Sequence, residues 1–128
     1  MVIVDSSVWI QAFRVSDSPE HHALQRLLEQ EEVVMVGIIL AEVLQGSRNP
    51  SEFEEIRLRL SELPYVSESK DTWTHVGALS YQLRQDGLTM GLVDLLIAAL
   101  ATEHRHQLYT LDQHFQRVPG LKLYQGGI

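Results

Sequence analysis

Four carboxylates occupy positions where a charge needs explaining: Asp5, Glu42, Asp94 and Asp112. Asp5 follows the apolar, β-branched run Val2-Ile3-Val4, and Asp112 follows Gln107-Leu108-Tyr109-Thr110-Leu111. Both runs read as buried strands. Glu42 is the single charge between Ile38 and Leu44, and Asp94 the single charge between Gly91 and Ala101. Both of those segments read as helices. Taken alone, each acid has a plain structural reading, as a helix cap for Asp5 and Asp112 and as a boundary residue for Glu42 and Asp94. Taken together they ask for more, because charges seldom sit among core residues without a partner. Neither apolar run contains a Lys or Arg to neutralise its acid. If the four converge, mutual repulsion raises some of their pKa values or demands cations. An oxygen-only, carboxylate-rich site suits Mg2+ or Mn2+. One or two such ions bind a phosphodiester, lower the pKa of a bound water and stabilise a leaving oxygen. The implied chemistry is metal-dependent phosphodiester hydrolysis.

The elements that must position these acids alternate between strand and helix. After Val2–Val4, Ser6 or Ser7 is expected to cap a helix that buries Val8, Trp9 and Phe13. Ser18-Pro19-Glu20 opens a second helix with a Leu24, Leu27, Leu28 stripe. Val33–Val36 reads as a second buried strand, followed by the Glu42 helix, which Gly46 ends as the residue beyond the cap. Asn49-Pro50 starts another helix with Phe53, Ile56 and Leu60 on one face. Leu63–Val66 is a weak third strand, since it contains a proline. Ser69 or Asp71 starts a long helix, with Trp73, Val76, Leu79 and Leu83 as its apolar face and Gly87 at its end. The Asp94 helix is apolar almost all round and is expected at the centre. The Gln107–Leu111 strand leads to a short helix holding His114, Phe115 and Val118. Leu121–Tyr124 is expected as a fifth, edge strand. This alternation predicts an α/β fold with a mainly parallel sheet of four to five strands and right-handed crossovers. In such sheets ligands bind beyond the carboxyl ends of the strands.

The chain has 128 residues, fitting one domain, and 45% of them are hydrophobic and 21% charged, an ordinary globular composition. With no cysteine, disulfides and thiolate metal sites are excluded, and a reducing cytoplasm is the expected compartment. No signal peptide or membrane-spanning run is apparent, so no membrane partner is expected. The net charge of −7 argues against tight nonspecific binding to a polyanion, yet suits cations or a basic protein partner.

In their order and spacing, Val4-Asp5-Ser6-Ser7-Val8-Trp9-Ile10, Leu40-Ala41-Glu42-Val43-Leu44-Gln45-Gly46, Gly91-Leu92-Val93-Asp94-Leu95-Leu96-Ile97-Ala98 and Thr110-Leu111-Asp112-Gln113-His114-Phe115 resemble the PIN domain over essentially the whole chain. The likeness is to the VapC-type toxins of bacterial toxin–antitoxin pairs. That resemblance implies a three-layer α/β/α domain over residues 1–128 and a Mg2+- or Mn2+-dependent endoribonuclease. It implies that Asp5, Glu42, Asp94 and Asp112 bind metal, with Ser6 and Thr110 hydrogen-bonding within the site. The implied reaction is attack of a metal-activated water on an RNA phosphate, giving a free 3′-hydroxyl. The substrate would be transfer or ribosomal RNA. A cognate antitoxin would hold the enzyme inactive by placing a basic side chain among the acids, and the protein would form a homodimer and toxin–antitoxin hetero-oligomers. The implied dimer helices lie around Ile39–Leu44 and Phe53–Leu60. Gln11 departs from the pattern, since many relatives carry Asp there. Arg14, Arg48 and Arg84 are candidates to contact RNA phosphate.

Other readings compete. A haloacid-dehalogenase phosphatase also begins with a strand and Asp but needs a second Asp where Ser7 stands, and a Rossmann site lacks its glycine-rich turn. His104, His106 and His114 invite a transition-metal site, but helix C-terminal histidines are better read as dipole partners. The rival from another class is a catalytically inactive PIN-like module that binds antitoxin or RNA without cutting.

Overall fold

Val2, Ile3 and Val4 form β1, buried along its whole length. In the computed structural model, which describes residues 1–125, this strand is central to a four-stranded, wholly parallel sheet. Its neighbours are β2 (Val33–Val36) and β4 (Gln107–Tyr109), with β3 (Tyr65–Val66) beyond β2, giving the order β3-β2-β1-β4. Ile3 pairs with Val34 on one side and Leu108 on the other. Every residue of β1 and β2 is buried, so helices must cover both faces.

Six helices supply that cover: α1 (Ser6–Arg14), α2 (Pro19–Glu29), α3 (Gly37–Gln45), α4 (Pro50–Ser61), α5 (Lys70–Gln85) and α6 (Leu92–Glu103). α1 packs on α2 and α3, and α5 packs on α6. Leu95 to Ala101 of α6 are all buried, as expected of a helix apolar on every side. Ser18 and Asn49 cap α2 and α4 through bonds from the His21 and Glu52 N–H groups, at 3.1 and 2.8 Å. Ser69 and Thr72 make a reciprocal capping box at the start of α5. Among the described residues no helix is long and apolar enough to cross a membrane.

Several sequence expectations are corrected. Asp5, not a serine, is the N-cap of α1. Trp73 is 51% exposed, and Thr72 takes its place on the buried face of α5 by donating to Glu103 Oε2 at 2.8 Å. A hydrogen-bonded threonine can be buried there, and the larger ring is left outside. Phe13 and Leu28 are exposed as well. Leu121–Tyr124 does not make a fifth strand among the described residues. It contributes one parallel bridge, Leu108 to Leu123, after Gly120 turns the chain with φ +78°. β4 ends at Tyr109, so Thr110 and Leu111 lie beyond it.

Glycine marked one helix end correctly and another for the wrong reason. Gly87 has φ +77°, with Leu88 N–H bonded to Leu83 O at 2.8 Å and Gly87 N–H to Arg84 O at 3.0 Å, a Schellman end. Gly46 has φ −83°, which any residue adopts. α2 and α6 make the same kind of end with Glu31 and Arg105 at positive φ.

Candidate active site

β1 delivers Asp5 to the carboxyl edge of the sheet, where its N–H donates to Tyr109 O at 2.8 Å and extends the ladder past the strand. The chain then turns into α1, with Asp5 O accepting from Val8 and Trp9 N–H at 3.0 and 3.2 Å. The residue is only 8% exposed. Three donors satisfy its carboxylate: the Ser6 N–H to Oδ1 at 2.8 Å, Ser7 Oγ to Oδ2 at 3.0 Å and Thr110 Oγ1 to Oδ2 at 2.8 Å. Thr110 also accepts from the Asp112 N–H at 3.1 Å, so one hydroxyl ties the β1 edge to the β4 edge.

Glu42 reaches the same place from α3, where its Oε1 accepts from Ser6 Oγ at 3.2 Å. Burial pushes the Glu42 carboxyl above its ordinary 4.5; the Ser6 bond opposes this, and repulsion from Asp5 and Asp94 adds to it. Asp94 lies in the first turn of α6. Its carboxyl is raised above 3.8 by burial, then by Asp112 and Asp5, while His114 opposes. Asp112 caps the 3-10 helix Gln113–Arg117, with Oδ1 accepting from the His114 N–H at 2.9 Å and lying 2.8 Å from His114 Nδ1. The backbone bond from His114 is the largest cause of its depressed pKa.

The four acids therefore meet at one edge of the sheet, where Glu42 feels Asp5 and Asp94, and Asp94 feels Asp112 and Asp5. Among the described residues no Lys or Arg pairs with any of them. Ser6 and Thr110 bond within this cluster. Two contacts escaped the sequence reading. Ser7 bridges Asp5 and the Leu111 N–H, at 3.0 and 3.3 Å, and its signal was the paired serine after the acid. His114 engages Asp112, which its spacing of two residues permits but does not announce. The histidine trio does not assemble: His104 and His106 stack at 6.2 Å, whereas His114 lies 2.8 Å from Asp112. Arg14 and Arg48 line a cleft between α1, α3 and α4, where Arg48 is held by Glu52 at 3.2 Å; Arg84 is elsewhere, on α5. Gln11 is half-buried in α1.

The four carboxylates fit a hard divalent cation in chemistry and charge, being all oxygen and without a compensating Lys or Arg among the described residues. Among the described residues no three of these side chains are arranged to hold an ion in the rotamers seen, so closure on a cation requires side-chain rotation. The raised acids make a stability prediction. A carboxyl whose folded pKa exceeds its unfolded value contributes stability that is intact at low pH and lost as pH rises through the folded pKa. In divalent-free buffer at pH 7, Asp94→Asn is therefore expected to melt above wild type, by roughly 1–3 °C. The gap should close below about pH 3.8, the ordinary Asp94 value. Differential scanning calorimetry across that window checks it, and an equal or lower variant Tm at pH 7 refutes it.

Acids gathered beyond parallel strands, with helix starts among them, define a class, and residues 2–121 match the PIN domain family. The chain belongs to the PIN domain family. It is similar to Ribonuclease VapC2 of Rickettsia felis, 27% identical over 126 residues and covering 94% of both chains. It is also similar to Ribonuclease VapC11 of Mycobacterium tuberculosis, 27% identical over 119 residues, covering 90% of this chain and 89% of that one. Among solved structures, the Rickettsia felis VapBC2 complex bound to a promoter DNA fragment superposes with a TM-score of 0.80 at 26% identity, covering 97% of this chain and 98% of that one.

Proposed function

We propose that this chain is the endoribonuclease toxin of a toxin–antitoxin pair and that it hydrolyses RNA phosphodiesters with a divalent ion, Mg2+ or Mn2+. The observation that carries the reading is the cluster of Asp5, Glu42, Asp94 and Asp112, in which Glu42 and Asp94 are raised by neighbouring acids and no Lys or Arg among the described residues pairs with any of the four. Full-length similarity to proteins named as VapC ribonucleases supports the substrate class.

A divalent ion held there supplies charge neutralisation for the phosphate and a water of lowered pKa. The chain's own part is geometric. Ser7 and Thr110 fix Oδ2 of Asp5, Ser6 braces Glu42, and His114 sets Asp112. The raised carboxyls of Glu42 and Asp94 hold a proton more readily than free acids and exchange it for a cation. In the reaction water attacks phosphorus, the P–O3′ bond breaks and the 3′ oxygen takes a proton, leaving a 3′-hydroxyl and a 5′-phosphate.

The same uncompensated charge favours an antitoxin that inserts a basic side chain among the acids, and the similar Rickettsia felis structure is of a VapBC assembly. Phe53 and Leu58, exposed on α4, suit a homodimer contact. A cytoplasmic site of action and a transfer or ribosomal RNA target complete the proposal. The test is cleavage of transfer and ribosomal RNA by purified protein with Mg2+, with Mn2+ and with chelator. Cutting only with a divalent ion, leaving 3′-hydroxyl ends, is expected. Chelator-resistant cutting with cyclic phosphate ends, or no cutting under any condition, overturns it; the second outcome leaves an inactive binding module.

A further inference from the structure

Three aspects of α5 have no use in the site just described. Trp73 and Tyr81 are 51% and 63% exposed, although large aromatic rings normally help build a core. Gly77 lies midway between them, in the interior of a 16-residue helix where glycine weakens the structure, and a Cβ added there would meet nothing within 4 Å. No internal packing therefore asks for it. Lys70 and Arg84, at the two ends, are exposed and engage no acid among the described residues, whereas Arg48, Arg57 and Arg59 are each held by a glutamate.

Helical periodicity puts these five residues together. At 3.6 residues per turn, Lys70, Trp73, Gly77, Tyr81 and Arg84 fall within about 80° of arc along about 21 Å of helix. No Asp or Glu of α5 lies inside that arc. In a chain of net charge −7, an acid-free strip with two aromatic rings, a bare gap between them and a cation at each end is a distinct surface. Its direction is fixed as well. Thr72, at the start of α5, bonds Glu103, at the end of α6, at 2.8 Å, so the two helices run antiparallel. Tyr81 and Arg84 therefore lie toward the end of the pair where α6 begins and Asp94 stands.

We infer that this strip binds a single-stranded segment of RNA and leads it toward the acids. Aromatic rings stack unpaired bases of any sequence, and the gap over Gly77 admits a flat base between the two rings. Lys70 and Arg84 pair with backbone phosphate at either end. Duplex RNA buries its base faces and cannot use the rings. The choice of RNA as occupant rests on the ribonuclease reading; the strip itself does not.

The protein carries its own probe, because its two tryptophans are Trp73 and the buried Trp9, so quenching of emission reports on the strip. Binding of a fluorescein-labelled 12-nucleotide single-stranded RNA is measured by polarisation, with chelator present so that no cutting occurs. Expected are saturable quenching of tryptophan emission and a loss of affinity of about 5- to 100-fold for Trp73→Ala and for Tyr81→Ala. Arg84→Gln should reduce the salt slope by about 0.7. Gly77→Leu fills the gap with a better helix former, so its expected loss of binding cannot come from unfolding. Unchanged affinity in these variants, or equal binding of a duplex of the same sequence, overturns the inference. So does light scattering that shows Trp73→Ala turning a dimer into a monomer, since the strip is then a contact between two copies. Asp94→Asn separates the two ideas: it should bind RNA like wild type and fail to cut. If it cuts normally the four-acid cluster is not the reaction centre, while the binding measurements still judge the strip.

Discussion

Asp94→Asn is expected to lower the rate of RNA cleavage by at least about 1000-fold while leaving the fold intact, a change of about 4 kcal/mol in transition-state stabilisation. The magnitude follows from where the residue stands. Asp94 is the acid that feels Asp112 and Asp5 together, so removing its charge lowers the field that any cation at this edge would answer. The change is nearly isosteric, and the N-cap of α6 is Gly91, so no capping bond is lost. The same variant should bind a divalent ion more weakly in calorimetric titration, a readout independent of turnover. Its expression should no longer arrest growth of a host cell that wild type arrests. Cleavage within tenfold of wild type by the purified variant would mean that the four-acid cluster is not the reaction centre.

The second large effect is structural. Phe115 is 1% exposed in the 3-10 helix whose cap is Asp112. Phe115→Ala removes most of that side chain from a closed core and should cost about 3–5 kcal/mol, against a total stability of about 5–15 kcal/mol for an ordinary domain. A fall in Tm of about 10–20 °C follows for a chain of this size. Phe115→Leu keeps most of the volume and should lose less than half as much. Because Phe115 anchors the segment that carries Asp112 and His114, the alanine variant should also lose metal affinity at temperatures where it is still folded. A loss of stability below about 1 kcal/mol would show that the packing at Phe115 is not what holds this segment.

Much of the architecture was legible because its signals are local. β-branched triplets, Ser-Pro and Asn-Pro starts and the unbroken apolar run of α6 each declare themselves within a few residues. Glu42 and Asp94 stood out as lone charges in apolar helices, and Asp5 and Asp112 as acids directly after strands. What escaped depended on contacts between distant segments. Trp73 fits the helical stripe by spacing, yet Thr72 is buried in its place because Glu103, on another helix, accepts its hydroxyl. Helix ends at Glu31 and Arg105 gave no sign, since non-glycine residues at positive φ are held by the bonds around them. The fifth strand looked adequate in composition, but after the turn at Gly120 its pairing with β4 is a single bridge, Leu123 to Leu108. The role of Ser7 appears only once Leu111 is brought beside it, and that pairing spans 104 positions.

The hydrogen bond from Thr110 to Asp5 joins the two ends of the folding sequence. The Asp5 carboxylate is completed by a hydroxyl 105 residues later, and the last acid follows two positions beyond. A polypeptide emerging from the ribosome therefore displays its first acid at once but cannot gather the four acids until Asp112 has left the exit tunnel. On the proposed reading, a product that stops short of Thr110 lacks both that donor and the fourth acid and should not cut RNA.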